Sequence, residues 1–278
     1  MMDAYSALTN YYGSYDEDGR LTTKYGRVEF LTTVHYIEKY IRPGMRILEI
    51  GAGTGRYSHF LARQGYRVDA VELMPKNIEV FRRNTQPGEN VRVFEGSAVD
   101  MPFIESERYD LTLMLGPMYH LFTEEEKRCA ISEAVRVTKP GGIMMAAYCG
   151  ADAAIYQAGF MRGRARQLIA DGMLDPITFK AHSEPKDLFE LHRKEEIDAL
   201  MANFPSMTRL HYVGTDMMAH YMRASIEEMD EETFELYMKY HFTVCERHDM
   251  VGITNHILDI LRKEKSNERE GVSVSENV

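Results

Sequence analysis

Three glycines in five residues, Gly51, Gly53 and Gly55, follow the apolar run Arg46–Ile50 (RILEI) and precede a helical pattern over about residues 56–64. A strand that ends in a glycine turn and continues as a helix is the beginning of a β-α-β unit. It commits this region to a parallel sheet with helices on its faces. Glycine is needed in such a turn because a Cβ would strain the backbone or block a ligand's approach. In open α/β sheets that place, outside the C-terminal strand ends, is where ligands bind.

The alternation continues to about Tyr148. Gly65 stops the first helix, as glycine commonly does just past a helical C-terminus. Residues 68–73 (VDAVEL) read as a second strand, and Pro75 opens the next helix where its missing N–H costs nothing. Residues 91–94 and 109–115 (YDLTLML) read as the third and fourth strands, the latter with the unbroken apolar character of a buried parallel strand. Residues 123–126 (TEEE) spell a capping box for the following helix. Lys139-Pro140-Gly141-Gly142 ends that helix and turns into a fifth strand at 143–148.

Beyond residue 150 the order is less regular. Residues 151–172 read as a helical insertion, 194–203 as a helix, 207–213 as a sixth strand and His256–Lys263 as a seventh. The stretch 216–248 is helical and rich in Met, Tyr and acid. The expected architecture is α/β: a Rossmann-like, doubly wound, mostly parallel seven-stranded sheet with a helical cap. Residues 1–44 are expected as an N-terminal helical segment closing the cofactor site. The main domain spans 45–263, with cap insertions at about 151–190 and 214–253, and 264–278 form a polar, disordered tail.

The glycine turn has a partner. Glu72 closes the second strand, 21 residues after Gly51, where an acid can accept both hydroxyls of a ribose. Two cofactor classes share that geometry. A nicotinamide site uses G-x-G-x-x-G, with a pyrophosphate on the helix N-terminus. This chain has G-x-G-x-G, with Arg56 in place of the third glycine and Glu49 just before the turn. A carboxylate there repels a pyrophosphate and suits the ammonium of a methionine moiety. Spacing and charge favour S-adenosylmethionine.

The run E-I-G-A-G-T-G, the acid at Glu72, G-S-A-V-D-M-P-F from Gly96, and K-P-G-G from Lys139 resemble the successive motifs of class I S-adenosylmethionine-dependent methyltransferases. The resemblance covers roughly residues 45–150 and implies roles position by position. Glu49 would hold the methionyl ammonium, with Gly51, Ala52 and Gly53 presenting backbone to the methionyl part. Glu72 would bind the ribose and Leu73 would pack on the adenine. The Ala98 N–H would meet an adenine ring nitrogen. Ser97 stands where the family usually has Asp, and backbone near Gly116 would complete the ammonium site.

Leu115-Gly116-Pro117-Met118-Tyr119-His120 leaves the fourth strand at the edge that faces the reactive methyl in the resembling family. Tyr119 and His120 offer a phenol and an imidazole to position or deprotonate an acceptor. Equally, Tyr119 lines the pocket and His120 supports the next helix. No Pro-Cys pair, N-P-P-[YF] signature or Asp and Asp-Asn metal set occurs, which leaves metal-free transfer to an O, N or S atom. Tyr5, Tyr11, Tyr12, Tyr15 and Tyr25 either fold over the cofactor or pack as helix core, and Arg20 could meet the methionyl carboxylate. His241, Cys245, Glu246, Arg247 and His248 read as a substrate wall or a buried hydrogen-bond knot. The acidic run 227–232 reads as a solvated helix start.

A net charge of -10 argues against a nucleic-acid footprint. Cys129, Cys149 and Cys245 are far apart, which suits a reducing compartment and neither a zinc site nor a disulfide framework. No signal-peptide pattern and no long apolar span are present, so a cytoplasmic protein is expected. The 19 methionines read as ordinary core filling or as an adaptable pocket. The expected function is methyl transfer to a small-molecule acceptor. The alternatives are an RNA or protein methyltransferase, which needs an open basic groove, and a non-catalytic donor-binding protein.

Overall fold

The structure, a computed structural model, describes residues 4–14 and 19–265. Two helices, α1 (Ala4–Ser14) and α2 (Lys24–Tyr40), precede the sheet. The first half alternates β1 (Arg46–Ile50), α3 (Arg56–Arg63), β2 (Arg67–Glu72), α4 (Pro75–Asn84), β3 (Val91–Glu95), β4 (Tyr109–Met114), α5 (Glu124–Val137) and β5 (Thr138–Gly150). The first insertion holds α6 (Ala151–Ala154), which runs into a π-helical turn at Ile155–Met161, and α7 (Ala165–Ala170). Then come β6 (Leu191–His192), α8 (Lys194–Met201), β7 (Met207–Gly214), α9 (Arg223–Glu228), α10 (Glu231–Val244) and β8 (His256–Lys263).

The strands lie in the order β3-β2-β1-β4-β5-β8-β7, with β6 paired to β5. β1 to β5 run parallel, while β8 runs antiparallel to both β5 and β7. Successive strand residues point to opposite faces, and the core splits accordingly. Leu48 and Ile50 face a layer that includes Ala130 and Ile131 of α5 and Ile197 of α8. Ile47, Leu111 and Leu113 face Val34 and Ile37 of α2 and Leu61 of α3. Most buried methionines, Met101, Met114, Met144 and Met145 among them, fill these two layers.

The capping box forms as read: the Glu126 N–H donates to Thr123 Oγ1 at 3.2 Å, and the Thr123 N–H donates to Glu126 Oε2 at 3.0 Å. Asp230 caps α10 by accepting from the Thr233 N–H at 2.7 Å.

Three details differ from expectation. The sheet has an eighth strand, because Leu191 and His192 pair with Cys149 and Gly150 at the end of β5. Two residues carry no periodicity to read. β5 begins at Thr138, so Lys139–Gly142 lies within the strand and pairs past an irregularity between Tyr109 and Leu111. The second insertion is more than a cover: Ala219, Ile226, Phe234 and Met238 form a core with Val28 of α2. Tyr15 and residues 266–278 of the expected tail lie outside the described residues.

Candidate functional site

The order of strands reverses at β1, which has β2 on one side and β4 on the other. The crevice at such a switch point is the natural ligand site of an open α/β sheet. Both bordering strands leave the sheet through glycine. Gly51 has φ +71, and a Cβ there would fall 2.5 Å from Pro117 Cδ. Only glycine lets the turn after β1 nest against the turn after β4. Gly55 is required for another reason: at φ +90 it caps α3 and would collide with Phe81 of α4 at 2.5 Å.

Every residue assigned to the cofactor from the sequence, together with Tyr119 and His120, lines one cavity of about 360 Å³. Its volume falls in the range of small-ligand sites, about 300–1,000 Å³. Glu49 is 2% exposed and accepts from the Ser58 hydroxyl. Burial pushes its pKa up to about 8, only partly offset by Ser58. A buried carboxylate with no cation beside it gains by receiving one. Arg56 does not supply that cation, since its guanidinium lies over the Phe30 ring at 4.9 Å.

Glu72 accepts from the N–H of Gly53 at 2.7 Å and of Met74 at 2.9 Å, and from Asn77 Nδ2 at 3.2 Å. The sequence reading missed Asn77, in the first turn of α4, and also Thr54, Tyr57 and Met74, which share the wall. Ser97 and Ala98 sit in a tight turn closed by the Asp100 N–H on Ser97 O at 3.2 Å. The Ser97 hydroxyl accepts from the Val99 N–H at 3.4 Å.

From α1, Tyr5, Leu8 and Tyr12 complete the lining. The Tyr12 hydroxyl is 3.0 Å from His120 Nε2, and His120 Nδ1 is 2.8 Å from Leu188 O. Burial pushes the His120 pKa down to about 4. Tyr119 donates its hydroxyl to Leu115 O at 2.9 Å, while its own carbonyl accepts the Glu190 N–H at 2.8 Å. Tyr11, Tyr119, His120 and Phe189 meet edge to face or tilted within 6.0 Å. Two other chain segments, α1 and residues 188–189, thus converge on His120.

The family described as a methyltransferase domain matches residues 47–142. The chain is 35% identical over 99 residues to a demethylmenaquinone methyltransferase of Clavibacter sepedonicus, covering 36% of this chain and 39% of that protein. It is 30% identical over 128 residues to a ubiquinone biosynthesis O-methyltransferase of Methylocella silvestris, covering 46% of this chain and 48% of the relative. It is therefore similar to less than half the length of each of these curated relatives. A magnesium protoporphyrin IX methyltransferase from Synechocystis with bound S-adenosylhomocysteine superposes with a TM-score of 0.57. That alignment, at 11% identity, covers 94% of this chain and 100% of the other, and it establishes the shared fold. The methyltransferase-domain family thus covers residues 47–142, the stretch that carries the glycine turn and Glu72.

S-adenosylmethionine is the cofactor of that family, in agreement with the reading of the glycine turn. The other sequence-derived candidates are engaged in contacts of their own. Arg20 lines the donor cavity, but its guanidinium is engaged by Glu29 at 2.7 and 3.3 Å. His241 is buried with Nε2 2.9 Å from Thr32 Oγ1. Glu246 accepts from the Tyr36 hydroxyl at 2.5 Å and lies 2.7 Å from His211 Nδ1. Of that group only His241 and Cys245 are buried, while Glu246, Arg247 and His248 are exposed. The structure instead gathers Asp216, His220 and His256, with ligand-type atoms all within 4.8 Å of one another. Only the Asp216–His220 spacing of four residues, one helical turn, could have hinted at this. Among the described residues no helix is long and apolar enough to cross a membrane.

Proposed function

We propose that this chain transfers a methyl group from S-adenosylmethionine to an O, N or S atom of a small-molecule acceptor, without a metal. One observation carries the reading: motifs spread from residue 49 to residue 120 converge on one cavity at the switch point of the sheet. The residues present fit the donor. Gly51 lets the turns after β1 and β4 nest at the cavity wall, and Glu49 is a buried acid with no cation paired to it among the described residues.

In this reading Glu49 takes the methionyl ammonium, and its charged form is recovered when that cation arrives. Backbone at Gly51, Ala52, Gly53 and Gly116 borders the methionyl part. Glu72 receives the ribose hydroxyls, Leu73 packs on the adenine, and Ser97 and Ala98 border its edge. Helix α1, through Tyr5, Leu8 and Tyr12, covers the site and excludes water. When bound, the donor supplies an electrophilic methyl on a sulfonium, whose C–S electron pair leaves with a neutral thioether. The protein's part is to align the acceptor, keep water out and accept a proton where the acceptor carries one.

The small size of the acceptor is supported by the cavity's volume, about 360 Å³, and by the names of the two relatives, which concern quinones. The test is an incubation of the protein with a metabolite extract and isotope-labelled donor, followed by mass spectrometry. A labelled small molecule is expected. Calorimetry should show S-adenosylmethionine and S-adenosylhomocysteine binding and NAD failing to bind; tighter binding of NAD would overturn the reading.

A further inference from the structure

A second cavity of about 590 Å³ adjoins the donor cavity and shares Tyr12, Arg20 and Tyr119 with it. Both insertions reach this wall: Arg162 and Phe189 come from the first, and Asp216, His220 and Arg223 from the second. Charge here runs against that of the whole chain. The protein carries -10 overall, yet the cavity collects the guanidiniums of Arg20, Arg162 and Arg223. Against these three stand Glu29 and Asp216, so the lining is net positive and attracts a small anion.

The acids in the same wall are already matched. Glu29 takes both arms of Arg20. Asp216 Oδ1 accepts from the Thr254 hydroxyl at 2.6 Å and from the N–H groups of Asn255 at 2.9 Å and His256 at 3.2 Å. Its Oδ2 faces His256 Nδ1 at 2.7 Å and His220 Nε2 at 3.2 Å. Burial opposes a charge on His256, but Glu29 and Asp216 outweigh it and hold its pKa well above the usual value.

Two guanidiniums keep capacity to spare. Arg223 lies over the Tyr25 ring at 4.8 Å and gives one N–H to His220 Nδ1 at 2.6 Å, while its buried Nε has no partner among the described residues. Arg162 is exposed at the rim and has no carboxylate partner among the described residues.

The Asp216–His220–His256 spacing also resembles a metal triad. The tautomers favour a different role. A guanidinium only donates, so His220 Nδ1 must be the lone pair and Nε2 must carry the proton. A metal at Nε2 would need that proton moved to the nitrogen that faces Arg223. The triad is a hydrogen-bonded wall that sets the direction of Arg223.

We propose that this cavity is the acceptor's anion subsite, in which Arg162 and Arg223 hold a carboxylate or phosphate. The acceptor's nucleophilic atom then points past Tyr12 and Tyr119 toward the donor cavity. This rests on the methyltransferase reading and narrows its acceptor to small acids. Planar guanidinium forks match either anion in two-point contact.

The test is calorimetry on the full chain saturated with S-adenosylhomocysteine, titrated with benzoate, phenyl phosphate and neutral benzamide. At least one anion should bind ten or more times tighter than benzamide, and which one it is separates carboxylate from phosphate. Arg223→Gln and Arg162→Gln should each weaken that anion about fivefold or more, with the affinity for S-adenosylhomocysteine unchanged. Arg162 is exposed, so its variant keeps the test alive if the Arg223 variant does not fold. Equal binding of the three probes, or anion binding indifferent to Arg162→Gln, overturns the proposal. So does saturable zinc binding that His220→Ala abolishes. Failure of S-adenosylhomocysteine itself to bind would instead remove the donor reading beneath it.

Discussion

Glu72 Oε2 accepts the Gly53 N–H at 2.7 Å, so the acid that closes β2 also holds the glycine turn that follows β1. Its other oxygen is occupied by the Met74 N–H and Asn77 Nδ2. Burial pushes its pKa up in spite of these donors. The residue proposed to read the ribose is therefore also the keystone of the turn, and its two roles can be separated by substitution.

Glu72→Gln keeps an acceptor for the turn but loses the charge. It should retain the fold and bind S-adenosylhomocysteine at least tenfold more weakly, since one charge-assisted hydrogen bond is worth about 1.5–3 kcal/mol. Glu72→Ala should lose the same affinity and also lower the melting temperature. It leaves buried N–H groups unpaired at about 1–3 kcal/mol each. Calorimetry and thermal unfolding read the two effects, and an unchanged dissociation constant in both variants would take Glu72 out of the site.

Gly51→Ala and Gly65→Ala compare a crowded turn with an open one. Both glycines have positive φ, +71 and +88, but a Cβ at Gly65 meets nothing within 4 Å, whereas at Gly51 it meets Pro117. The left-handed conformation alone costs about 1–2 kcal/mol, which is all that Gly65→Ala should show. Gly51→Ala should lose more than this and should also weaken the donor analogue. Equal destabilisation of the two variants would mean that Pro117 yields freely.

The half of the chain carrying β1 to β5 was legible because parallel strands buried on both faces write themselves as unbroken apolar runs. The glycine turn was legible because backbone strain leaves little choice of residue. The acceptor side was not. Asp216 and His256 lie forty positions apart and meet only because β7 and β8 pair antiparallel. The group around His241 stood out through local density, yet its partners Thr32 and Tyr36 come from α2. Density along a sequence does not say which helix will be the neighbour. Tyr12 could be seen as part of an aromatic stripe, but its partner is 108 residues away.

His241 predicts how the protein responds to acid. It is 1% exposed, and burial pushes its pKa down to about 4, against a slight opposing pull from Asp216. An unfolded histidine titrates near 6.5. Between those values the unfolded chain binds more protons, so stability falls as pH drops from about 6.5 to about 4. The loss from one such site is up to ~3 kcal/mol. His241→Gln, which cannot titrate, should show a shallower fall in denaturation midpoint over that interval. Parallel curves for wild type and variant would show that His241 is not held neutral.

Tyr12 and His120 carry the last prediction. A carbonyl only accepts, so the 2.8 Å contact to Leu188 O places the proton of His120 on Nδ1. Nε2 is then the lone pair, and the Tyr12 hydroxyl, 3.0 Å away, donates to it. For His120 to act on an acceptor, it would have to work through Tyr12 or follow the tyrosine's moving aside. With a pKa near 4 the ring is neutral at physiological pH; its weak basicity is offset by its fixed orientation. If the pair removes the acceptor's proton, His120→Ala should lower turnover by about 10²–10⁴-fold. The affinity for S-adenosylhomocysteine should stay within about threefold, well under the 1.4 kcal/mol that a tenfold change represents. Tyr12→Phe should lose nearly as much turnover as His120→Ala. The acid limb of kcat/KM should lie near pH 4 in the wild type and vanish in the His120 variant. Tyr119→Phe should alter chiefly KM, because its hydroxyl is tied to Leu115 O and shapes the wall. If His120 only braces α1 against the first insertion, His120→Ala will instead lower the melting temperature and Tyr12→Phe will turn over normally. Normal kinetics and normal stability in both variants would remove the pair from the mechanism altogether.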